Sequence, residues 1–193
     1  MSTTQPIRSK QLLHDFKEYF LTKQPNSRNY TLILIGLNTA LRINDILHLT
    51  WGDVYCTEHS RFYTHLLITE KKTEKETRIL INRELQETLL SYRKTQPSIA
   101  DTDYLFPSPR KADSPLSRYQ AYRIVRKAAE AVGIEDVIRC HSLRKTFGYH
   151  AWKMGTPPAL LMEIYNHSSF QITKQYLGIE QDDKDAIFRD IQL

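Results

Sequence analysis

The sequence contains little cysteine, glycine or proline. Its 193 residues include two cysteines, six glycines and eight prolines. Because Cys56 and Cys140 lie far apart and form no Cys-x-x-Cys or Cys/His ligand spacing, we expect free thiols, a reducing compartment and no structural zinc site. The remaining composition, 40% hydrophobic and 25% charged, is typical of a folded globular protein rather than a disordered one. At this length one domain, residues 1–193, can bury a core without disulfides.

Long hydrophobic runs are also missing. The longest, Leu32 to Leu37, is far too short to cross a bilayer, and the first ten residues lack the apolar segment of a signal peptide. We therefore expect a soluble, cytoplasmic protein. No internal repeat and no glycine-rich phosphate-binding loop occurs in the sequence.

Negative charge is scarcer than positive charge. There are 27 Lys and Arg residues against 22 Asp and Glu, which gives a net charge of +5 and an isoelectric point near 9.1. This modest excess suits a polyanionic partner such as nucleic acid but does not by itself require one.

The first third of the chain shows helical periodicity. Apolar residues at helical spacing behind Ser9 predict an amphipathic helix, and the almost wholly apolar segment "NSRNYTLILIGLNTALR" predicts a buried helix that runs to about Leu41. The segment "RINDILHL" predicts a short further helix that ends at a Trp-Gly-Asp turn.

The rest of the chain predicts a small β insertion followed by more helices. β-branched and aromatic residues between Val54 and Ile81 are typical of an antiparallel hairpin. Helices are predicted over about 83–95 and 117–132 and over most of the last third, and the proline-rich loop 97–115 is the only candidate linker. The predicted fold class is mainly α with a small antiparallel β-sheet (α+β).

Two arginines stand in patterns that suit phosphate binding. Arg144 follows His141 by three residues, so both lie on one face at the start of a helix, where backbone N–H groups also attract an anion. Arg42 lies between two apolar helices, where Asp45 can hold its orientation. Taken singly, each pattern is more often structural: a capping histidine with a solvated arginine, or an internal ion pair.

Lysine, histidine and tyrosine complete the list of candidates. Lys71, Lys72 and Lys75 lie in a charged turn between strands, where most lysines are solvated but one could protonate a departing alkoxide. His167 precedes Tyr176 by nine residues. That tyrosine is either a half-buried packing residue or a nucleophile.

In chain order these residues resemble the active-site pattern of the tyrosine recombinase (phage integrase) family. The corresponding segments read "ALRINDILHL", "KKTEKETRILI", "HSLRKTF", "YNHSSFQIT" and "KQYLG". The resemblance runs from about Lys10 to Ile179 and implies the fold of that family's catalytic domain. The site residues that it implies are Arg42, Lys72, His141, Arg144, His167 and Tyr176.

The resemblance implies a site-specific DNA recombinase of the integrase type that cleaves and rejoins strands through a 3′-phosphotyrosine intermediate. Arg42 and Arg144 would hold the phosphate, His141 would accept the proton of Tyr176, and the family requires no metal or other cofactor. Its partner would be double-stranded DNA. The protein would be a monomer in solution and would form a tetramer on the DNA. Its origin would be bacterial, phage or a mobile element. In the same scheme Lys72 would be the general acid, and His167 would bind the phosphate.

Three departures from the family pattern bear on these roles. Asp45 stands where the family usually has Glu, and Tyr165 and Asn166 stand where it often has Leu and Gly. The spacing of the hairpin also allows Lys71, instead of Lys72, to be the lysine of the family pattern. The amino-terminal DNA-clamping domain of many relatives is missing, so we expect either a short member or an excised domain.

Several alternatives stay open. The tail, residues 180–193, would dock on a neighbouring protomer or on its own domain, and the basic segment from Arg118 to Lys127 is a candidate for base readout. A type IB topoisomerase and a catalytically inactive DNA-binding regulator with the same fold are the competing functions.

Overall fold

The computed structural model describes residues 4–69 and 76–191. The α-helices are α1 Lys10–Glu18, α2 Ser27–Asn38, α3 Ile43–Leu47, α4 Trp51–Val54, α5 Arg83–Lys94, α6 Arg118–Ala131, α7 Cys140–Lys153, α8 Pro158–Tyr165, α9 Phe170–Leu177 and α10 Ile179–Asp190, and a π-helical segment, Tyr19–Lys23, follows α1. The strands are β1 Tyr55–Cys56, β2 Arg61–Phe62, β3 His65–Thr69, β4 Glu76–Leu80, β5 Pro107–Ser108 and β6 Lys111–Pro115. The predicted fold class, mainly α with small antiparallel sheets, is confirmed.

Helix α2 forms the centre of the main core. Residues 31–37 are all buried, as expected for a helix that is apolar on every side. The helix packs against α1, α5 and α7. Gly36 allows the approach of α7, because a Cβ atom at this position would lie 2.6 Å from a methyl group of Leu143.

A second, smaller core joins α7, α8 and α9. Leu161, Tyr165 and Leu177 are fully buried there. The helices approach closely at Gly148, where a Cβ atom would lie 2.5 Å from the Tyr165 hydroxyl and 2.6 Å from a Leu177 methyl group. Helix α9 has only eight residues and is too short to be stable alone, so this packing fixes the position of Tyr176 near its end.

The described strands form three separate two-stranded antiparallel ladders, β1–β2, β3–β4 and β5–β6. In the longest ladder His65 pairs with Leu80 at one end and Thr69 with Glu76 at the other. The predicted hairpin is therefore present, but Lys71, Lys72 and Lys75 lie outside the described residues.

Residues 4–8, which we call the N-terminal strap, lie along α7. The Ile7 amide donates to the Thr146 hydroxyl at 2.9 Å, and the Ile7 carbonyl lies 2.9 Å from Nε2 of His150. Arg8 donates to the Gly178 carbonyl at 3.2 Å and pairs with Asp182. The strap thus connects α7 to the junction of α9 and α10.

Some predicted elements differ from the observed ones. Helix α2 ends at Asn38 rather than near Leu41, because Ala40 has a left-handed backbone with φ of 54°. The expected Trp-Gly-Asp turn is the short helix α4, since Thr50 and Asp53 form a capping box around its first turn. The candidate linker 97–115 contains the β5–β6 hairpin.

Two further expectations concern thiols and membranes. Cys56 and Cys140 are free, as predicted. Among the helices in residues 4–69 and 76–191, none combines the length and apolarity needed to cross a membrane.

Candidate active site

Arg42 stands directly before α3, after a strained stretch of backbone. Ala40 is buried and adopts a left-handed conformation, which is unfavourable for a residue with a side chain. Its carbonyl accepts a hydrogen bond from the Arg144 guanidinium, 104 residues further along the chain. The backbone that leads to Arg42 is therefore held by the side chain of the second candidate arginine.

Arg144 lies in α7 and is only 4% exposed. Its guanidinium carbon is 4.6 Å from the ring centroid of Tyr165, within cation–π range. The Tyr165 hydroxyl in turn donates to the Arg144 carbonyl at 2.7 Å. These contacts offset part of the cost of burying a cation and hold the guanidinium in one place.

His141 lies in the first turn of α7. Partial shielding from water lowers the pKa of its imidazole below the ordinary value of 6.5, and the positive charge of Arg144 is the next largest cause. Arg118, Lys145 and Arg42 contribute in the same direction. His141 is therefore neutral at pH 7 and able to accept a proton.

His167 follows the left-handed end of α8 at Asn166, where φ is 53°. Its Nδ1 atom lies 3.0 Å from the hydroxyl oxygen of Thr173, and that hydroxyl donates to the Ser169 carbonyl at 3.4 Å. The same hydroxyl can instead donate to Nδ1 at the shorter distance, and the ring then carries its hydrogen on Nε2. Burial, followed by Arg144 and Arg42, lowers the pKa of His167.

Tyr176 is half-buried in the last turn of α9. Its ring centroid is 5.5 Å from that of Tyr165 and 5.3 Å from that of His167. Burial raises the pKa of the phenol above 10, while Arg144, by its charge and by a hydrogen bond, and Arg42, by its charge, oppose the rise.

The two arginines act on the same three groups. Arg42 and Arg144 each influence the pKa of His141, His167 and Tyr176. The structure therefore brings these five predicted site residues together. The sixth, Lys72, lies outside the described residues.

The sequence analysis missed two residues that contact this site. Tyr165 is fully buried against Arg144, and its apolar neighbours in α8 made it look like an ordinary core residue. Lys145 is also buried, with its ammonium group 5.2 Å from the ring centroid of Tyr176. Its position beside Arg144, on the helix that the His-x-x-Arg motif predicts, was the available signal.

The site carries positive charge and little metal-binding capacity. In the part of the chain that the structure describes, no group of three or more His, Cys, Asp or Glu residues is arranged to hold a metal ion. The groups that face the centre of the site are guanidinium, imidazole and phenol. Such a set suits an anion and a proton transfer.

The lowered histidine pKa values predict a pH-dependent stability. An unfolded chain takes up protons on histidine below about pH 6.5, whereas folded His141 and His167 resist protonation. The free energy of unfolding should therefore fall as the pH drops from about 7 to about 5. The double variant His141→Gln/His167→Gln should show a weaker fall in urea titrations at several pH values.

The exposed His59, in the turn between β1 and β2, provides the matched control for this prediction. The variant His59→Gln should retain the wild-type dependence. If the double variant and the wild type lost stability in parallel, the two site histidines would not be its source.

A mainly α fold that gathers two arginines, two histidines and a tyrosine defines a class of protein, the catalytic domain of a tyrosine recombinase. Residues 5–182 match the phage integrase family. The chain therefore belongs to the phage integrase family. The predicted family and the predicted enzyme class, a tyrosine-type site-specific recombinase, are both confirmed.

Two curated relatives illustrate the similarity. The Bacillus subtilis (strain 168) protein named "Probable integrase/recombinase YoeC" is 43% identical over 189 residues, which cover 98% of this chain and 97% of that protein. The type 1 fimbriae regulatory protein FimB of Escherichia coli (strain K12) is 30% identical over 152 residues, covering 78% of this chain and 72% of that protein.

Solved structures share the fold at lower identity. The XerA recombinase has a TM-score of 0.75 and 20% identity, with 99% of this chain and 68% of that chain covered. The XerH site-specific recombinase, bound to a palindromic difH substrate, has a TM-score of 0.70 and 22% identity, with 91% and 49% covered.

Proposed function

We propose that this protein cleaves and rejoins DNA at specific sites, with Tyr176 as the nucleophile that forms a 3′-phosphotyrosine intermediate. The observation that carries the proposal is the convergence of Arg42 and Arg144 on the Tyr176 phenol, where both oppose the rise of its pKa. A phosphodiester held by these two guanidinium groups would lie next to the phenol oxygen.

Phosphate binding is the first task of the site. A phosphodiester repels nucleophiles, so its charge must be neutralised before attack, and the transition state carries further negative charge. Guanidinium groups offer several N–H donors in a fixed plane and match the non-bridging oxygens. We assign this role to Arg42 and Arg144, with His167 as a further donor to a phosphate oxygen through Nε2 while its Nδ1 accepts from the Thr173 hydroxyl.

Activation of the nucleophile is the second task. Because burial raises the pKa of Tyr176, its hydroxyl is un-ionised at pH 7 and needs a proton acceptor. His141 has a lowered pKa and serves as that base in our proposal. The phenol oxygen then bonds to phosphorus as its proton leaves.

Release of the 5′ oxygen is the third task. The bond between phosphorus and that oxygen breaks as the tyrosine bond forms, and the departing alkoxide takes up a proton. We assign the donor to Lys72, by resemblance to the family. Attack by another strand's 5′-hydroxyl on the phosphotyrosine reverses these steps and rejoins the DNA without loss of bond energy.

Helix α6 is the proposed DNA-reading element. Arg118, Tyr119, Arg123 and Lys127 are exposed, and α6 packs against α3, directly after Arg42. A helix with exposed basic side chains fits the major groove. Since the substrate is DNA and the relatives above are bacterial proteins, we place the activity in a bacterial cytoplasm.

The assembled form is a proposal as well. Helix α10 exposes Ile187 and Phe188, which are 57% and 81% exposed, and Ile191, directly after the helix, is 58% exposed. A solvent-exposed aromatic residue on a terminal helix favours docking on a neighbouring protomer once DNA has gathered several copies. We propose a monomer in dilute solution and a tetramer on DNA, with residues 1–193 acting as one catalytic domain.

Covalent trapping tests the proposed function. Wild-type protein is incubated with a library of randomised duplexes that carry a nick. After cleavage near the nick, the short fragment with the 5′-hydroxyl diffuses away, so the adduct cannot be reversed. Adducts that resist denaturant are isolated, their DNA is sequenced, and the nucleotide-bearing peptide is identified by mass spectrometry. We expect attachment to Tyr176 through a 3′-phosphate and a common sequence in the captured DNA.

The same experiment separates the competing functions. An inactive regulator would bind DNA without forming an adduct. A type IB topoisomerase would capture DNA with little sequence preference and relax plasmids that lack a dedicated site. Attachment to a residue other than Tyr176 would refute the proposed nucleophile.

A further inference from the structure

Lys145 is a buried cation that the steps above do not use. It lies next to Arg144 in α7, is 4% exposed, and donates from Nζ to the Thr4 carbonyl at 2.7 Å. Within residues 4–69 and 76–191 no carboxylate oxygen lies within salt-bridge distance of its ammonium group. Burying an ammonium group beside a neutral carbonyl is costly, and an apolar side chain of similar length would avoid this cost. A purely structural role therefore does not account for a lysine here.

The other contact of Lys145 is with Tyr176. Its Nζ atom lies 5.2 Å from the centroid of the Tyr176 ring, within the range of a cation–π interaction. Tyr165 and His167 contact the same ring. Of these three side chains Lys145 is the charged one, and it acts on the ring whereas Arg144 acts on the hydroxyl.

The N-terminal strap fixes the position of this charge. The amide and the carbonyl of Ile7 contact the side chains of Thr146 and His150 in α7, and the Gln5 amide, next to Thr4, donates to the Val137 carbonyl at 3.2 Å. Arg8 of the strap also donates to the Gly178 carbonyl, two residues after Tyr176. The strap therefore fixes both Lys145 and the end of the tyrosine helix.

The charge of Lys145 stays available when DNA binds. A phosphate between Arg42 and Arg144 would offset part of their positive charge and weaken their effect on the phenol. Lys145 faces a neutral carbonyl, so its charge is not offset in this way. Among the residues that the structure describes, the other charged and titratable groups around Tyr176 and Lys145 are Arg8, Arg42, His141, Arg144, Tyr165 and His167.

We propose that Lys145 is a positioning residue for Tyr176, which holds the ring through its ammonium group and favours the ionised phenol during attack. This inference rests on the proposed function, because it assumes that Tyr176 is the nucleophile. Burial, followed by the charge of Arg8, lowers the pKa of Lys145, so the group is most effective at neutral and lower pH.

The test uses Lys145→Met, which keeps the length of the side chain and removes the charge. The substrate is a duplex of a sequence identified by the covalent trapping, with sulfur in place of the bridging 5′ oxygen at the cleaved phosphodiester. A thiolate leaves without protonation, so the general acid no longer influences the rate. Single-turnover adduct formation is measured from about pH 6 to about pH 9. We expect a rate about tenfold lower than wild type near pH 7 and a deficit that narrows as the pH rises, because Lys145 of the wild type, whose pKa is lowered, then loses its proton and its charge.

Two further variants make the result specific. Lys153→Met is the matched control, because Lys153 lies on the same helix with its ammonium group 5.7 Å from the ring of Tyr149, a tyrosine outside the site. It should behave as wild type. Lys145→Gln removes the charge but keeps an N–H donor, so it should show the same pH-dependent deficit and supplies the readout if Lys145→Met does not fold.

A deficit that is equal at all pH values, or no deficit in either Lys145 variant, would overturn the inference. DNA affinity should change by less than about twofold, since the proposed role concerns the nucleophile rather than the phosphate contacts. If wild-type protein attaches DNA to Tyr176 and only the Lys145 result fails, the proposed function stands. If wild-type protein forms no adduct, the proposed function itself fails.

Discussion

The variant Tyr176→Phe is expected to form no denaturant-stable adduct with DNA, a loss of more than about 10⁴-fold in rate. The substitution removes one oxygen atom, the proposed nucleophile, and leaves the ring with its contacts to Tyr165, His167 and Lys145. Folding and DNA binding should therefore remain close to wild type. Gel analysis of the captured duplex after denaturation measures the adduct, and a binding titration measures the affinity.

Tyr165→Phe is the matched control, since it removes the same atom from a ring 5.5 Å away. Tyr165 loses its hydrogen bond to the Arg144 carbonyl, which should reduce the free energy of unfolding by about 1 kcal/mol. Adduct formation should persist. The assignment of Tyr176 would be wrong if its phenylalanine variant still attached DNA, or if only Tyr165→Phe abolished attachment.

Local signals in the sequence predicted most helices, because they act within a few residues. Ser9 caps α1 by accepting a hydrogen bond from the Leu12 amide, and Ser117 caps α6 by accepting one from Gln120. Gly178 ends α9 with a left-handed φ of 73°. Capping residues and glycine specify these boundaries without help from distant parts of the chain.

Ala40 shows why other boundaries could not be predicted. Alanine is the strongest helix former, so the sequence favours a continuation of α2. The backbone instead turns left-handed at Ala40, with its carbonyl bound by Arg144 from 104 residues away. Only the tertiary structure supplies that contact, and no local pattern indicates it.

The sequence predicted five residues that the structure places close together, but not the contacts that support them, and their catalytic roles stay a prediction. The order and spacing of the motifs, read through the family resemblance, predicted the residues that the structure now brings together around Arg144. The roles of Tyr165 and Lys145 depend on how α7, α8 and α9 pack, and Gly148 allows that packing by its close contact with Tyr165. Sequence patterns describe one helix at a time and do not report such contacts between helices.

Arg144→Lys is expected to lower the rate of adduct formation by about 10²- to 10³-fold while the protein stays folded. The arginine already uses one N–H group for the Ala40 carbonyl and stacks on Tyr165, which leaves other N–H groups of the same plane for the phosphate. A lysine keeps the charge, but its single ammonium group cannot hold the Ala40 carbonyl and a phosphate in the same geometry. Single-turnover rates on the captured duplex, at saturating protein, measure the loss.

Arg83→Lys is the control for this change, because Arg83 is an exposed arginine at the start of α5 whose guanidinium pairs with Glu87. Its rate should match wild type. Raising the pH should not rescue Arg144→Lys, because the variant lacks donor geometry rather than charge, and this distinguishes it from the Lys145 variants. A lysine at position 144 that supported the wild-type rate would show that charge alone suffices there and that the donor geometry of the guanidinium is not required.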